Sequence, residues 1–181
     1  AYEPVIAFDE QSVIVHKLSS PNSRLQKGGW ALVDVGAEYA GYSADITRML
    51  PLGKIPSRQS EVYAAVERVL QMCIHELRPG LKFIDYARWA QEQVGHELVQ
   101  LGIIKSAGNK KAISHYFPHL VSHSLGLDTH DVFNYHEVVL QENMVLTVEP
   151  GIYIPEEGIG VRIEDDILIT KNGAFNLSQN V

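Results

Sequence analysis

The sequence has only one cysteine, Cys73, in 181 residues. A single cysteine excludes an internal disulfide framework and a zinc site built from thiolates, and it favours a reducing, cytoplasmic compartment. The sequence also lacks any run of the ~18 uncharged apolar residues that a membrane helix requires. Basic charge is in deficit, since 15 lysines and arginines face 22 acidic residues. Phosphate binding requires a basic surface, so we expect neither nucleic acid nor a membrane as the partner.

What the sequence does contain is typical of a globular protein. Hydrophobic residues make up 45% and charged residues 20%, which excludes a disordered chain, a coiled coil and a fibrous protein. The length predicts one domain of ordinary size over residues 1–181. Strand patterns fill the first and last thirds and helix patterns fill the middle, so the predicted class is α+β rather than an alternating βαβ fold.

Two helices are predicted in the middle of the chain. The first has an apolar stripe at helical spacing, formed by Val62, Val66, Val69, Leu70, Cys73, Ile74 and Leu77. This stripe predicts a helix over about 58–78, with Ser57 as its N-cap. A second stripe predicts a helix over about 83–101, through Ile84, Ala87, Val94, Leu98 and Leu101.

Short apolar runs predict strands at Val5–Phe8, 13–15, Trp30–Val35, 39–49, 144–147, Gly151–Ile154 and 159–170. In or beside three of these strands an acid stands where its apolar neighbours indicate burial: Asp34, Glu149 and Glu164. A buried carboxylate is costly without a partner, which could be an arginine, a set of backbone N–H groups or a metal ion. Each acid alone is more often at an edge or in an ion pair, with Arg162 the obvious cation. Three together favour a metal site.

Histidines cluster in one segment of the sequence. Five of the eight lie between His115 and His136, and among them are His119, His123 and His130. Imidazole and carboxylate ligands without a thiolate suit manganese, cobalt or zinc in a catalytic role. Acids donated by separate strands further suggest two metal ions that share bridging carboxylates, as in aminopeptidases, phosphatases and nucleases.

Four blocks of the sequence occur in an order that resembles one family. They are DVGAEYAGYSADITR from Asp34, SHSLGLDTHD from Ser122, LTVEPGIY from Leu146 and GVRIEDD from Gly160. The set resembles the pita-bread metallopeptidases, and within them most closely the aminopeptidase P family of Xaa-Pro aminopeptidases. This resemblance implies a curved, antiparallel-rich sheet covered by helices. Such relatives have two helices, and usually a further domain, before the strand near Val5, so we expect a catalytic domain that is incomplete at its N-terminus.

The resemblance also implies a metal centre with two divalent ions, manganese first, with cobalt or zinc as alternatives. The implied ligands are Asp34, Asp45, His123, Glu149 and Glu164. Asp45 and Glu164 would bridge the two ions. Asp34 would complete the coordination of one ion, and His123 together with Glu149 would complete the coordination of the other.

Catalytic and substrate-binding roles follow from the same resemblance. The expected catalytic residues are Glu149, His130 and His16. Those expected to bind substrate are His119, His130 and Arg162. Arg162 is also expected to lie beside the Glu164 carboxylate, and Glu149 is expected to act as the general base.

The implied reaction is hydrolysis of an N-terminal Xaa-Pro peptide bond by a hydroxide held between the two metal ions. The partner would be a peptide with proline at its second position, and the full-length protein would form a homo-oligomer. Two alternatives stay open: an Xaa-Pro dipeptidase of the prolidase kind, and a non-catalytic pita-bread module that binds peptides. The sequence departs from the family pattern at Leu120 and Val121, where many relatives have glycine. We expect this difference to alter the shape of the pocket without touching a ligand.

Overall fold

The computed structural model describes residues 2–15 and 28–181. Its strands are, in chain order, β1 (Val5–Phe8), β2 (Trp30–Val35), β3 (Glu38–Tyr39), β4 (Tyr42–Ser43), β5 (Ile46–Pro51), β6 (Val145–Val148), β7 (Gly151–Ile154), β8 (Ile159–Arg162), β9 (Asp165–Thr170) and β10 (Gly173–Asn176). Its helices are α1 (Ser57–Glu76), α2 (Phe83–Gln100) and α3 (Lys110–Tyr116), with short 3-10 helices at Asp9–Val13 and Pro155–Glu157. None of the helices in this described part combines the length and the apolar character needed to cross a bilayer.

The strand pairs of these two ranges are antiparallel. One three-stranded sheet has the order β1-β2-β5 and a second has the order β10-β9-β6, while β3–β4 and β7–β8 form hairpins. Helix α1 packs against α2 on one side and against β8 and β10 on the other. The α+β class predicted from the sequence is therefore confirmed.

Helix α1 buries the face that the sequence predicts. Val62, Val66 and Cys73 are fully buried, with 0% of their surface exposed. The helix begins at Ser57 itself, so the N-cap position is occupied by Pro56 rather than by the predicted Ser57. The fixed φ of proline, here −60°, suits the entry into a helix, and Ser57 is the first helical residue.

Helix α2 is rotated slightly from the predicted orientation. Phe83 and Tyr86 are fully buried, whereas Ile84 is only partly buried. Aromatic packing accounts for the difference, because the Phe83 ring lies 5.1 Å from the ring of Phe133 and 5.4 Å from that of Tyr135, centroid to centroid. These contacts anchor the segment that follows His130 to the start of α2, a long-range effect that apolar spacing within the helix does not reveal.

Residues 13–15 do not form the predicted strand. The 3-10 helix Asp9–Val13 ends there, and the next two residues form a bend and a turn. The hydroxyl of Ser12 accepts a hydrogen bond from the Gly160 N–H at 2.9 Å, so this segment packs on β8 instead of pairing as a strand. A run of three apolar residues is too short to distinguish these outcomes.

Two further stretches are divided more finely than predicted. The extended stretch 39–49 breaks into the β3–β4 hairpin and β5, because Ala40 and Gly41 turn the chain with φ values of 52° and 82°. The stretch 159–170 breaks into β8 and β9. Helix α3 and strand β10 are present but were not predicted.

Candidate active site

One cavity brings the predicted metal ligands together. Its volume is about 700 Å³, and its walls include Asp34, Asp45, His123, Glu149 and Glu164. Also in its walls are Leu120, His119, His130 and Arg162. The remaining predicted site residue, His16, lies outside the described residues.

The first two acids reach the cavity from one sheet. Asp34 lies near the end of β2, opposite Thr47 of β5, and Asp45 immediately precedes β5. Between them the β3–β4 hairpin reverses the chain, and a hydrogen bond from Ala44 N to Ala37 O at 2.9 Å closes its base. The hairpin therefore returns the chain so that both carboxylates face the same space.

The other two acids come from the second half of the chain. Glu149 directly follows β6, and its N–H donates to Val121 O at 2.8 Å. Glu164 lies at the junction of β8 and β9, where its N–H donates to Thr47 O at 3.1 Å. Both lie at points where a strand ends, and both line the cavity.

Several ligand atoms lie close enough to share an ion. One donor atom from each of Asp45, His123 and Glu164 lies within 4.8 Å of the others. His123 Nε2 is 3.6 Å from Asp45 Oδ2 and 3.3 Å from Glu149 Oε1. Because metal–ligand bonds to such atoms are about 2.0–2.2 Å long, two ligands of one ion stand roughly 3–4 Å apart. The distances of 3.6 and 3.3 Å from His123 to the two acids fit that requirement.

His123 is prepared as a neutral ligand. Its Nδ1 lies 3.1 Å from Ser124 O, so Nδ1 carries the proton and donates it to this carbonyl. The lone pair is then on Nε2, the atom that faces the acids. Burial lowers the pKa of His123 to about 4, which keeps the ring neutral at physiological pH. A hydrogen bond from the ring nitrogen that does not bind the metal is the usual means of orienting a metal-bound imidazole.

Asp45 and Glu164 are buried, Glu149 is partly buried, and their negative charges are not balanced by nearby cations among the described residues. Burial, opposed in part by Tyr2, raises the pKa of Asp45 to about 6. Burial, with repulsion from the neighbouring carboxylates, raises the pKa of Glu149 to about 8 and that of Glu164 well above its ordinary value. These shifts mark carboxylates that lack enough positive charge. A divalent cation would supply it, and the donor set of oxygens with one imidazole fits such an ion.

Arg162 is the buried cation of the site, but it pairs with a different acid from the one expected. Its guanidinium contacts the Asp34 carboxylate, and its Nε donates to Thr47 Oγ1 at 3.1 Å. Thr47 Oγ1 in turn donates to Glu164 Oε2 at 2.6 Å, so Arg162 reaches Glu164 through a hydroxyl. Burial opposes its charged form, but Tyr153 and the carboxylates of Asp34 and Glu164 together raise its pKa. Arg162 Nη1 also donates to Tyr153 Oη at 3.1 Å. The N–H groups of Arg162 therefore bond to other protein groups and do not point into the open cavity.

The clustered histidines divide into two groups. His119 and His130 line the cavity: His119 Nε2 is 2.9 Å from Tyr153 Oη, and the His130 ring centroid is 4.3 Å from that of His123. His115 lies elsewhere, with its Nε2 3.5 Å from Glu156 Oε1, and His136 is exposed. Proximity in sequence therefore overstated the number of histidines in the site.

Sequence reasoning missed Tyr2 and Thr47. The Tyr2 hydroxyl contacts the carboxylates of both Asp34 and Asp45, and burial together with these acids raises its pKa. Tyr2 lies in no motif, so its role was not visible in the sequence. Thr47 lies in the first of the four blocks, two residues after Asp45 on the same side of an extended chain, which was an available signal.

Comparison with known proteins assigns this architecture to a class. The chain belongs to metallopeptidase family M24, whose family model matches residues 1–171. That family implies divalent metal ions, in agreement with the donor set described above. The fold is the pita-bread fold expected from the sequence blocks, as shown by its similarity to solved aminopeptidase P structures.

The similar proteins include both Xaa-Pro aminopeptidases and Xaa-Pro dipeptidases. The chain is 38% identical to the Xaa-Pro aminopeptidase of Escherichia coli, over all of the chain and 44% of that protein. It is 36% identical to an Xaa-Pro dipeptidase of Pyrococcus furiosus, over 99% of the chain and 48% of that protein. Two E. coli aminopeptidase P structures, one zinc-substituted with product and one with the inhibitor Pro-Leu, each give a TM-score of 0.89 at 36% identity, covering 99% of this chain and 44% of theirs. The chain thus spans less than half the length of these relatives.

Proposed function

We propose that this chain contains the active site of a metal-dependent Xaa-Pro aminopeptidase with two divalent metal ions. The observation that supports it most directly is that all five predicted metal ligands, four carboxylates and the imidazole of His123, line a single cavity. The proposed ligands are Asp34, Asp45, His123, Glu149 and Glu164. We propose manganese as the metal, with cobalt and zinc as alternatives, because all three accept oxygen-rich sites with one imidazole.

Glu149 is the proposed proton carrier. Bound metal ions would activate a water molecule at neutral pH and polarise the substrate carbonyl. Glu149 takes a proton from the attacking water and passes it to the leaving proline nitrogen. Proton transfer of this kind contributes about 10²–10⁴-fold to a rate.

Two histidines are proposed to contact the substrate. His130 is exposed to the cavity beside His123, where a ring N–H can donate to the oxyanion that develops on the scissile carbonyl. His119 Nδ1 lies 3.6 Å from Glu149 Oε2, which supports a position next to the proton carrier. His16 remains a proposed catalytic residue. We assign Arg162 to holding Asp34 and the ligand-bearing strands, because its N–H groups are bound to protein acceptors.

An Xaa-Pro dipeptidase is the second candidate. It is supported by the similar identity to a relative of that name. The two activities differ in whether the substrate continues beyond the proline, so the substrate series below separates them. A non-catalytic peptide-binding module is the third reading, and the presence of all five ligand types argues against it.

Three properties of the whole protein are also proposals. We propose one catalytic domain over residues 1–181, which is supported by a cavity whose wall includes both Tyr2 and Glu164, near the two ends of the chain. We propose a homo-oligomeric assembly by analogy with the family. The cytoplasmic location is supported by the single cysteine.

Metal removal combined with a substrate series tests the function. The chain is stripped with a strong chelator, and hydrolysis of an Xaa-Pro-Xaa tripeptide should stop and return with manganese. Full activity of metal-free protein would refute the proposed centre. An Xaa-Ala-Xaa tripeptide is the specificity control. Preference for the Xaa-Pro dipeptide over the tripeptide would select the dipeptidase reading, and binding of metal without any hydrolysis would favour the binding module.

A further inference from the structure

Arg48 on β5 uses every N–H group of its guanidinium. Arginine has five such donors in a rigid planar fork. Nε donates to Val181 O at 3.1 Å. The other four donors bond, at 3.0, 2.6, 2.7 and 3.0 Å respectively, to Thr47 O, Glu164 O, Asp165 Oδ1 and Ser178 O. The side chain does not enter the cavity, yet it is the most completely bound cation described in this part of the fold.

These bonds fix the main chain of Glu164, one of the two proposed bridging ligands. Glu164 lies between β8 and β9, outside either strand, so no sheet ladder holds it. Its N–H donates to Thr47 O at 3.1 Å, and its carbonyl accepts from Arg48 at 2.6 Å. Two consecutive residues of β5 therefore hold both peptide groups of Glu164. The other proposed bridging ligand, Asp45, immediately precedes the same strand.

The segment 176–181 supports this arrangement from outside. Asn176 Nδ2 donates to Asp165 Oδ2 at 2.7 Å, on the carboxylate that also binds Arg48. Ser178 Oγ accepts from Asp166 N at 2.9 Å. With the two bonds from Arg48 to this segment, the residues directly after Glu164 are tied to it at several points. The Asp165 side chain is only 7% exposed, so it depends on these partners.

We propose that Arg48 is a positioning residue of the metal centre, which sets the spacing between Asp45 and Glu164, and that segment 176–181 is its outer support. The inference rests on the proposed function, because it assumes that these two acids bind metal. A lysine at position 48 could not replace the arginine, since an ammonium group has three donors and no planar fork. The spacing of the ligands would then loosen, and an ion bound by both would be held less tightly.

Manganese binding by the full chain, measured by titration calorimetry, tests the inference with Arg48→Lys. The matched control is Arg68→Lys, since Arg68 also bonds a buried carboxylate through two N–H groups, to Glu97 at 3.1 and 2.6 Å, but in the helices away from the cavity. We expect Arg48→Lys to weaken manganese affinity by roughly 10–100-fold, the usual effect of losing an outer support. The control should bind like the wild type. The visible absorption of the cobalt-loaded protein should change in Arg48→Lys alone.

Each outcome decides between distinct explanations. The inference fails if Arg48→Lys binds manganese as tightly as the wild type does. If its thermal midpoint is also lowered as much as that of Arg68→Lys, Arg48 only stabilises the fold. If Arg48→Lys does not fold, Asn176→Ala replaces it, because that variant removes one support of Asp165 and leaves the arginine in place. Unchanged affinity in Asn176→Ala would then overturn the inference. A wild-type chain that binds no manganese would instead refute the proposed metal centre itself.

Discussion

Buried acids occur in two regions of this molecule, the helical layer and the cavity, and the two regions neutralise them differently. In the helices, the Glu97 side chain is 6% exposed and receives two N–H groups from Arg68 at 3.1 and 2.6 Å. One acid meets one guanidinium, and the charges balance. In the cavity, the described residues bring a single guanidinium, that of Arg162, to the four carboxylates of the proposed ligands, and the exposed Asp128 adds a fifth acid to the wall. A balanced pair serves the fold, whereas a deficit of positive charge marks the place where an outside cation binds.

The largest effect is expected from removing one acid in each region. Glu164→Gln should lose metal and hydrolysis altogether, because it replaces a proposed bridging ligand. Glu97→Gln should keep both and instead lose about 1–3 kcal/mol of unfolding free energy, the value of hydrogen bonds to a charged group. Elemental analysis, a peptidase assay and urea denaturation measure these changes. A Glu164→Gln protein that retains two metal ions would contradict the distinction drawn here between the acids of the cavity and those of the helices.

Glu149→Gln removes both a proposed metal ligand and the proposed proton carrier, so it should lower kcat by at least about 10²–10⁴-fold, with a much smaller change in KM. Steady-state kinetics on an Xaa-Pro-Xaa peptide provide the measurement. The exposed Glu142→Gln is the control and should behave as wild type. A raised KM at unchanged kcat would mean that Glu149 binds substrate and does not move the proton.

A smaller loss is expected from the histidines. His130→Ala should reduce kcat by about 10²–10³-fold, as removal of one oxyanion donor does elsewhere, and should leave the metal content intact. His136→Ala changes an exposed ring in the same segment and should have no effect. If His130→Ala lost metal, His130 would belong among the ligands rather than among the groups that contact substrate.

The charge deficit should also appear as a pH dependence of stability in metal-free protein. The pKa of Glu149 is raised to about 8, so its proton is retained in the folded state and released only as pH rises through that value. The contribution of protonated Glu149 to the free energy of unfolding is therefore complete below the ordinary pKa of a glutamate. It declines as the pH rises from there to about 8. His123, with its pKa lowered to about 4, acts in the opposite direction, but only below about pH 6.5.

We therefore expect metal-free protein to lose about 1–3 kcal/mol of unfolding free energy between pH 6.5 and 8, since each such group contributes about 1.4 kcal/mol per pH unit before coupling reduces it. Saturating manganese should raise stability most at the upper end of this range, by about 2.7 kcal/mol at a concentration one hundred times Kd. Urea unfolding with and without chelator measures both. Greater stability at pH 8 than at pH 6.5 without metal would contradict the account.

Three acids of the cavity were predictable because each stands in or beside a run of residues that demand burial, whereas Asp45 was implied only by the family resemblance. Asp34 interrupts an apolar strand, and Glu149 and Glu164 lie beside such strands, so the conflict between charge and burial is local in the sequence. The face of α1 was predictable for a similar reason, since its stripe lies within one helix.

What could not be predicted depends on contacts between distant parts of the chain. The orientation of α2 is set by Phe133 and Tyr135, which lie far along the sequence from Phe83. The direct pairing expected between Arg162 and Glu164 is not found, because the guanidinium contacts Asp34, which lies 128 residues away in the sequence and on a strand of another sheet. The roles of Tyr2 and Arg48 likewise arise only when the strands have assembled. No motif or local pattern contains that information.

The β3–β4 hairpin separates two of the proposed ligands without itself entering the ligand set. The hydrogen bond between Ala44 and Ala37 closes its neck at 2.9 Å, and Tyr39 near its tip is 87% exposed. Residues added at the tip would lengthen the loop on the solvent side, while the neck would preserve the spacing of the acids. The tip between Ala40 and Gly41 is therefore a site where a short epitope or a dye-labelling sequence could be inserted. Such a tag would report on events at the proposed metal centre from just outside it.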